Sequence, residues 1–134
     1  MSSCASRNLQ DLPVWQTAHR LEQLARIIAR GAFRRDWDLR NQLKRAVTSM
    51  MGNVAERFSR RSDKEFAHFP FIAKASAAEV QSHLYAALGR GYITSREFRT
   101  LYAEAESFSR QSSGLITFLT GRAKRGTSVK MSSS

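Results

Sequence analysis

The sequence predicts an all-α fold, an up-down-up-down antiparallel four-helix bundle. Three observations carry this. Apolar residues recur at three- and four-residue spacing along four successive segments, and no stretch sustains the alternation of a strand. Only two prolines and seven glycines interrupt 134 residues. The breaks between segments are short, so each helix should run antiparallel to the next. The length suits one domain, large enough to bury a core without disulfide or metal staples.

The first helix is expected over Leu12–Arg30. Asp11 is its candidate N-cap, and Pro13 falls in the first turn, where a missing N–H costs little. Val14, Ala18, Leu21, Leu24, Ala25 and Ile28 make its apolar face, and Gly31 is placed to stop it. The second helix is expected over Asp36–Arg60, with Leu39, Leu43, Ala46, Val47, Met50, Val54 and Phe58 as its stripe. The third should start at Ser62, where Ser62 and Glu65 match a capping box. Its core face is Phe66, Phe69, Ile72, Ala73, Ser76, Val80, Leu84 and Leu88, and Gly89 and Gly91 end it. Pro70 should kink this helix or split off its first turn. A second capping box, Thr94 to Glu97, opens the fourth helix. Phe98, Leu101, Tyr102, Ala105, Phe108, Leu115, Ile116 and Leu119 line it, with Gly121 as its stop.

This divides the chain into a flexible N-terminus over 1–10, a bundle over 11–121 and a basic, Ser-rich, disordered tail over 122–134. The single cysteine, Cys4, allows no internal disulfide. No apolar run approaches the roughly 18–20 residues that span a bilayer, and Met1–Asn8 lacks the apolar core of a secretory signal. A cytoplasmic protein without a membrane partner is expected.

The charge is the strongest compositional signal. Lys and Arg number 22 against 11 Asp and Glu, a formal net charge of +11. Most of the bases are arginine, the better residue for bidentate phosphate contacts. The positive residues cluster. Arg26, Arg30 and Arg34 recur every four positions, read as the end of the first helix. Arg35, Arg40, Lys44 and Arg45 follow. Arg57, Arg60, Arg61 and Lys64 crowd the turn into the third helix, and the tail adds Arg122, Lys124, Arg125 and Lys130. The fourth helix is mixed in sign. A solvated face explains a single cluster; several clusters and a basic tail point to a polyanion.

Catalytic patterns are thin. There is no Gly-rich phosphate loop and no paired-cysteine motif. Glu65 and His68 form one Glu-x-x-His, whereas di-metal bundles need two such motifs plus carboxylates from the other helices. Neither a metal nor another cofactor is expected. Gln42, Ser49, Asn53 and Glu56, at spacings of seven, four and three, make a polar stripe on the second helix, and Ser76 and Glu79 lie three apart on the third. They could form a carboxylate pocket. The favoured reading is a buried hydrogen-bonded seam between these helices, with Arg60 or Arg61 neutralising a carboxylate.

An ordered set of positions then resembles a known family. Leu39, Gln42, Ala46, Ser49, Asn53, Val54, Ala55 and Glu56 are followed by Arg61, Ser62, Lys64, Glu65 and Phe66, then Ile72, Ala73, Ser76 and Glu79. With Val14-Trp15-Gln16 and Gly91-Tyr92-Ile93, they are similar to the four-helix-bundle family first noted as reading frames in intervening sequences of 23S ribosomal RNA genes. The resemblance covers about residues 9–120. Arg57 and Ala75 replace glycines of the pattern, and Pro70 replaces a helix former. The resemblance implies an up-down bundle, often a homopentamer, with no assigned activity. A related branch resembles the accessory proteins of diversity-generating retroelements, basic bundles that bind RNA and a reverse transcriptase.

Two functions follow as expectations. The first is a non-enzymatic, oligomeric RNA- or DNA-binding bundle that holds phosphates with Arg40, Lys44, Arg57, Arg60, Arg61 and Lys64, helped by Arg122, Lys124 and Arg125 of the tail. The second is a scaffold, for example a reverse-transcriptase accessory subunit, with Trp15, Phe33, Trp37 and Phe118 at interfaces.

Overall fold

A computed structural model describes the backbone of residues 8–60 and 63–124, and side chains over 8–59 and 68–114. The described residues contain four long helices, one short helix and one 3-10 turn, with no strand. The long helices are α1 (Pro13–Ile28), α3 (Trp37–Arg60), α4 (Asp63–Gly89) and α5 (Ser95–Lys124); α2 is the short helix Gly31–Arg35. Around the bundle, α1 packs on α3, α3 on α4, α4 on α5 and α5 on α1, so every neighbouring pair is antiparallel.

Most of the described stripe residues lie in the core, with Leu24, Phe58, Ile72, Leu88, Phe98 and Tyr102 only half-buried. Val14, Ala18, Leu21, Ala25 and Ile28 of α1 meet Leu39, Leu43, Ala46, Val47, Met50 and Val54 of α3. Phe69, Ala73, Val80 and Leu84 of α4 and Leu101, Ala105 and Phe108 of α5 close it. Two buried hydroxyls are hydrogen-bonded. The buried Ser112 hydroxyl donates to the Phe108 carbonyl at 2.8 Å. That of buried Thr17 donates to Gln111 Oε1 at 2.7 Å, joining α1 to α5.

The ends of the helices follow their caps. Pro13 occupies the first turn of α1, but the N-cap is Leu12; Asp11 instead belongs to the 3-10 turn Leu9–Asp11. Leu9, within the stretch expected to be flexible, packs against the core. The box at the start of α5 is formed. The Glu97 N–H donates to Thr94 Oγ1 at 3.0 Å, and the Thr94 N–H donates to Glu97 Oε1 at 2.9 Å. At the end of α4, Tyr92 N–H bonds the Ala87 carbonyl and Gly91 N–H the Leu88 carbonyl, with Gly91 at φ 75°. This is the six-to-one and five-to-two pairing of a glycine C-cap. The box expected at Ser62–Glu65 lies outside the described residues.

Three expectations need correction. α4 runs through Pro70 as one helix, eight residues in, so no first turn is split off; the ring costs one rung of the ladder. α5 continues through Gly121 to Lys124, so Gly121 is not a stop; a helix loses only about 1 kcal/mol to a glycine and can run on. Finally, α1 ends at Ile28 rather than Arg30. The chain turns at Ala29 (φ −81°, ψ 74°), where Arg30 N–H bonds the Ile28 carbonyl at 2.8 Å, the geometry of an inverse γ-turn. Gly31 (φ 58°) opens α2 instead of ending α1. Arg26, Arg30 and Arg34 therefore do not share a helix face.

Candidate nucleic-acid interface

The short helix α2 is held at both ends. Phe33 is fully buried and stacks on Tyr92, with ring centroids 5.3 Å apart. Asp36 follows α2 and caps α3: its Oδ1 accepts the Leu39 N–H at 3.2 Å. Its Oδ2 accepts the Tyr92 hydroxyl at 2.7 Å and Arg90 Nη1 at 2.6 Å. These bonds, the one from Tyr92 foremost, hold the Asp36 carboxyl below its ordinary range, and the same contact raises the Tyr92 phenol. The loop between α4 and α5 thus fastens the corner between α2 and α3.

That corner forms the wall of a groove of about 610 Å³ between α1, α2 and α3. Its floor is apolar and includes Ala25, Leu43 and Val47; small side chains on α1 and the early end of that helix leave the space open. Four cations line it: Arg26 from α1, Arg34 from α2, and Arg40 and Lys44 from α3. The one carboxylate there, Glu22, pairs with Arg26 at 2.6 Å. Arg34 and Lys44 are exposed and have no ion-pair partner among the described residues. The Arg40 guanidinium lies over the Trp37 ring, 4.7 Å from its centroid.

Elsewhere some of the bases meet acids. Arg30 bonds Glu97 at 2.7 Å, Arg20 bonds Glu104 at 3.1 Å, and Arg90 bonds Asp36. The capping bond from Thr94 and the Arg30 contact lower the Glu97 carboxyl. Arg34 and Lys44 keep unpaired positive charge in the groove, where low-dielectric walls focus its field; Arg35, Arg45 and Arg96 are exposed outside it.

Of the residues predicted to hold phosphate, Arg40 and Lys44 stand together in the groove. Arg57 is half-buried on the same helix, 17 residues on, which is about 25 Å along the axis. It belongs to a separate place. The backbones of Arg60, Lys64, Arg122 and Lys124 are helical, but their side chains, like Arg61 and Arg125 altogether, lie outside the described residues. Arg26 and Arg34 are groove residues outside the phosphate set expected from sequence, since the five residues of α2 are too few to show a helical period. The signal available was Phe33 between Gly31 and Arg34: an apolar residue in a basic run marks a segment that docks.

The polar stripe is not a buried seam within one chain. Ser49, Glu56 and Glu79 are exposed, Gln42 and Asn53 are half-buried, and only Ser76 is buried. The Asn53 amide donates to Ser49 Oγ at 3.3 Å along its own helix. The stripe borders the apolar face on its solvent side, where polar residues carry no desolvation cost. Nor are the expected interface aromatics all at the surface: Phe33 is in the core, Trp15 is half-buried against His19, and Phe118 lies outside the described side chains. Trp37 is 65% exposed.

Among the described residues, no group of three or more His, Cys, Asp or Glu comes together to hold a metal ion. His68 is exposed, and the Glu65 side chain is outside the described set. No helix among the described residues is long and apolar enough to cross a membrane.

The family model of the 23S rRNA-intervening sequence protein matches residues 10–114, most of the chain and nearly all of the bundle. The chain belongs to the 23S rRNA-intervening sequence protein family. No curated protein and no solved structure matches it. The matched span of the 23S rRNA-intervening sequence family contains α1 to α4 and two thirds of α5, and with them the entire groove.

Proposed function

We propose that this family member is a non-enzymatic, self-associating bundle that binds RNA phosphates in the groove between α1, α2 and α3. The observation that carries the reading is the convergence of Arg26, Arg34, Arg40 and Lys44 around one concavity with a single acid among them. A groove of this kind contacts the backbone and reads little sequence. The test is filter binding of a structured RNA at about 50 mM and about 200 mM salt, across which several phosphate contacts cost orders of magnitude in affinity. The paired variant Arg34→Ala/Lys44→Ala should lose most retention while keeping its helical content. No retention of RNA or DNA by the wild type at the lower salt would refute the reading.

Self-association rests on a second observation. Phe71, Ala75, Ala78, Ser82 and Tyr85 of α4 are all exposed and fall at alternating spacings of four and three. Such a 3.5-residue repeat suits a helix packed against another helix. Phe71 is 73% exposed and Tyr85 58%. None of these five residues is charged. The exposed seam residues Ser49, Glu56 and Glu79 lie on α3 and α4, where a second copy would meet them. Light scattering should give a multiple of 15.2 kDa, a pentamer being the count the family resemblance implies. Ala78→Glu should lower it, and a wild-type monomer at micromolar concentration would refute this part.

A further inference from the structure

We propose that Trp37 is a stacking platform for an unpaired base, so that the groove takes single-stranded rather than duplex RNA. This rests on the nucleic-acid reading above and deepens it.

Trp37 opens α3 and is 65% exposed. Most of this indole's surface is left to solvent rather than packed in the core. The Arg40 guanidinium covers one of its faces at 4.7 Å. Trp37, Arg40 and Lys44 follow one another at three and four residues, so they share one side of α3. Arg40 is also a wall of the groove. One side chain thus links an aromatic surface to a cluster of cations. The held guanidinium is oriented before ligand arrives, with its N–H groups available to a phosphate.

Aromatic platforms beside positive grooves suit single strands. Phosphates follow the cations while a base lies on the ring, whatever its identity, because every base has a π-face. In a duplex the bases are stacked on one another, and an exposed side chain cannot reach their faces without unpairing them. The cations hold either form; the indole favours the single strand.

The chain has two tryptophans, so Trp15→Phe leaves Trp37 as the sole indole reporter. In this background a 12-residue oligouridylate, of a length that roughly matches common single-strand sites, should quench Trp37 fluorescence, and high salt should reverse it. In the wild-type background, Trp37→Ala should weaken oligouridylate binding between about fivefold and a hundredfold. It should leave binding to an RNA duplex of the same length within about twofold, because phosphate contacts are shared by both forms. Trp37→Phe should recover most of the loss. Equal loss on single strand and duplex, no loss on the single strand, or binding without quenching would each overturn the proposal. If the wild type binds neither RNA, the nucleic-acid reading itself fails; if it binds and Trp37→Ala is silent, only the stacking fails.

Discussion

Asp36 illustrates how much one side chain arranges here. Its two oxygens cap α3 and fasten Arg90 and Tyr92. Because its carboxyl is held below the ordinary value of 3.8, the folded state favours the charged form. The stabilisation is present above that value and is lost as pH falls through the lowered pKa. Asp36→Asn should therefore lower the melting temperature near neutral pH. The gap from wild type should narrow as pH falls below 3.8 through the lowered pKa. A gap that stays constant across this range would show that the carboxylate charge is not what matters. Nothing adjacent in sequence announces the contact, since Asp36 and Tyr92 are 56 residues apart. The Leu39 bond alone has a local signature, an Asp three residues before an amide at a helix start.

Among the elements, α2 and α5 make a useful contrast. The start of α5 was legible because Thr94 and Glu97 satisfy one another's amides at a fixed spacing. Thr94→Ala should cost about 1 kcal/mol in chemical denaturation. α2 was not legible, because five residues are too few to show a 3.6-residue period. Its place is set by long-range burial of Phe33 against Tyr92. Phe33→Ala should cost about 3 kcal/mol, at the low end for a buried aromatic because a short helix can swing into solvent. The same variant should weaken RNA retention by releasing Arg34 from the groove wall. α4 was misleading for another reason. It carries exposed apolar and small residues beside its core face, so the period marks the inward face through Phe69, Ala73, Val80 and Leu84 but hides the outward repeat from Phe71 to Tyr85. The polar stripe failed similarly: residues flanking an apolar face have the same spacing whether they turn inward or toward solvent.

At the scale of the molecule, the net charge of +11 matters less than its distribution. Five of the arginines are paired with carboxylates, which lie on α1 and α5 and at Asp36 before α3. Exposed pairs of this kind add little stability, between about 0 and 1 kcal/mol each, but they cancel charge locally. For the three groove cations not paired with Glu22, each displacing a counterion from a single strand, log K should fall with log salt at a slope of about −2. Removing Arg34 and Lys44 should flatten that slope by roughly 1.4. An unchanged slope would place the contacts elsewhere, for example on the basic run around Arg57. Fold class, four helices and their core faces could be read from the spacing of apolar residues alone. The groove could not, because it exists only where three elements distant in sequence meet.

The connection between α4 and α5 has a consequence for engineering. Surface loops ordinarily tolerate insertions and nicks, and a glycine turn at 90–94 would be the natural place to cut or permute this chain. Here the turn carries the bolt of a remote hinge. Two extra glycines after Gly91 should leave the helices intact by circular dichroism yet withdraw Tyr92 from Asp36 and Phe33. The groove wall, more than fifty residues upstream, would then come loose.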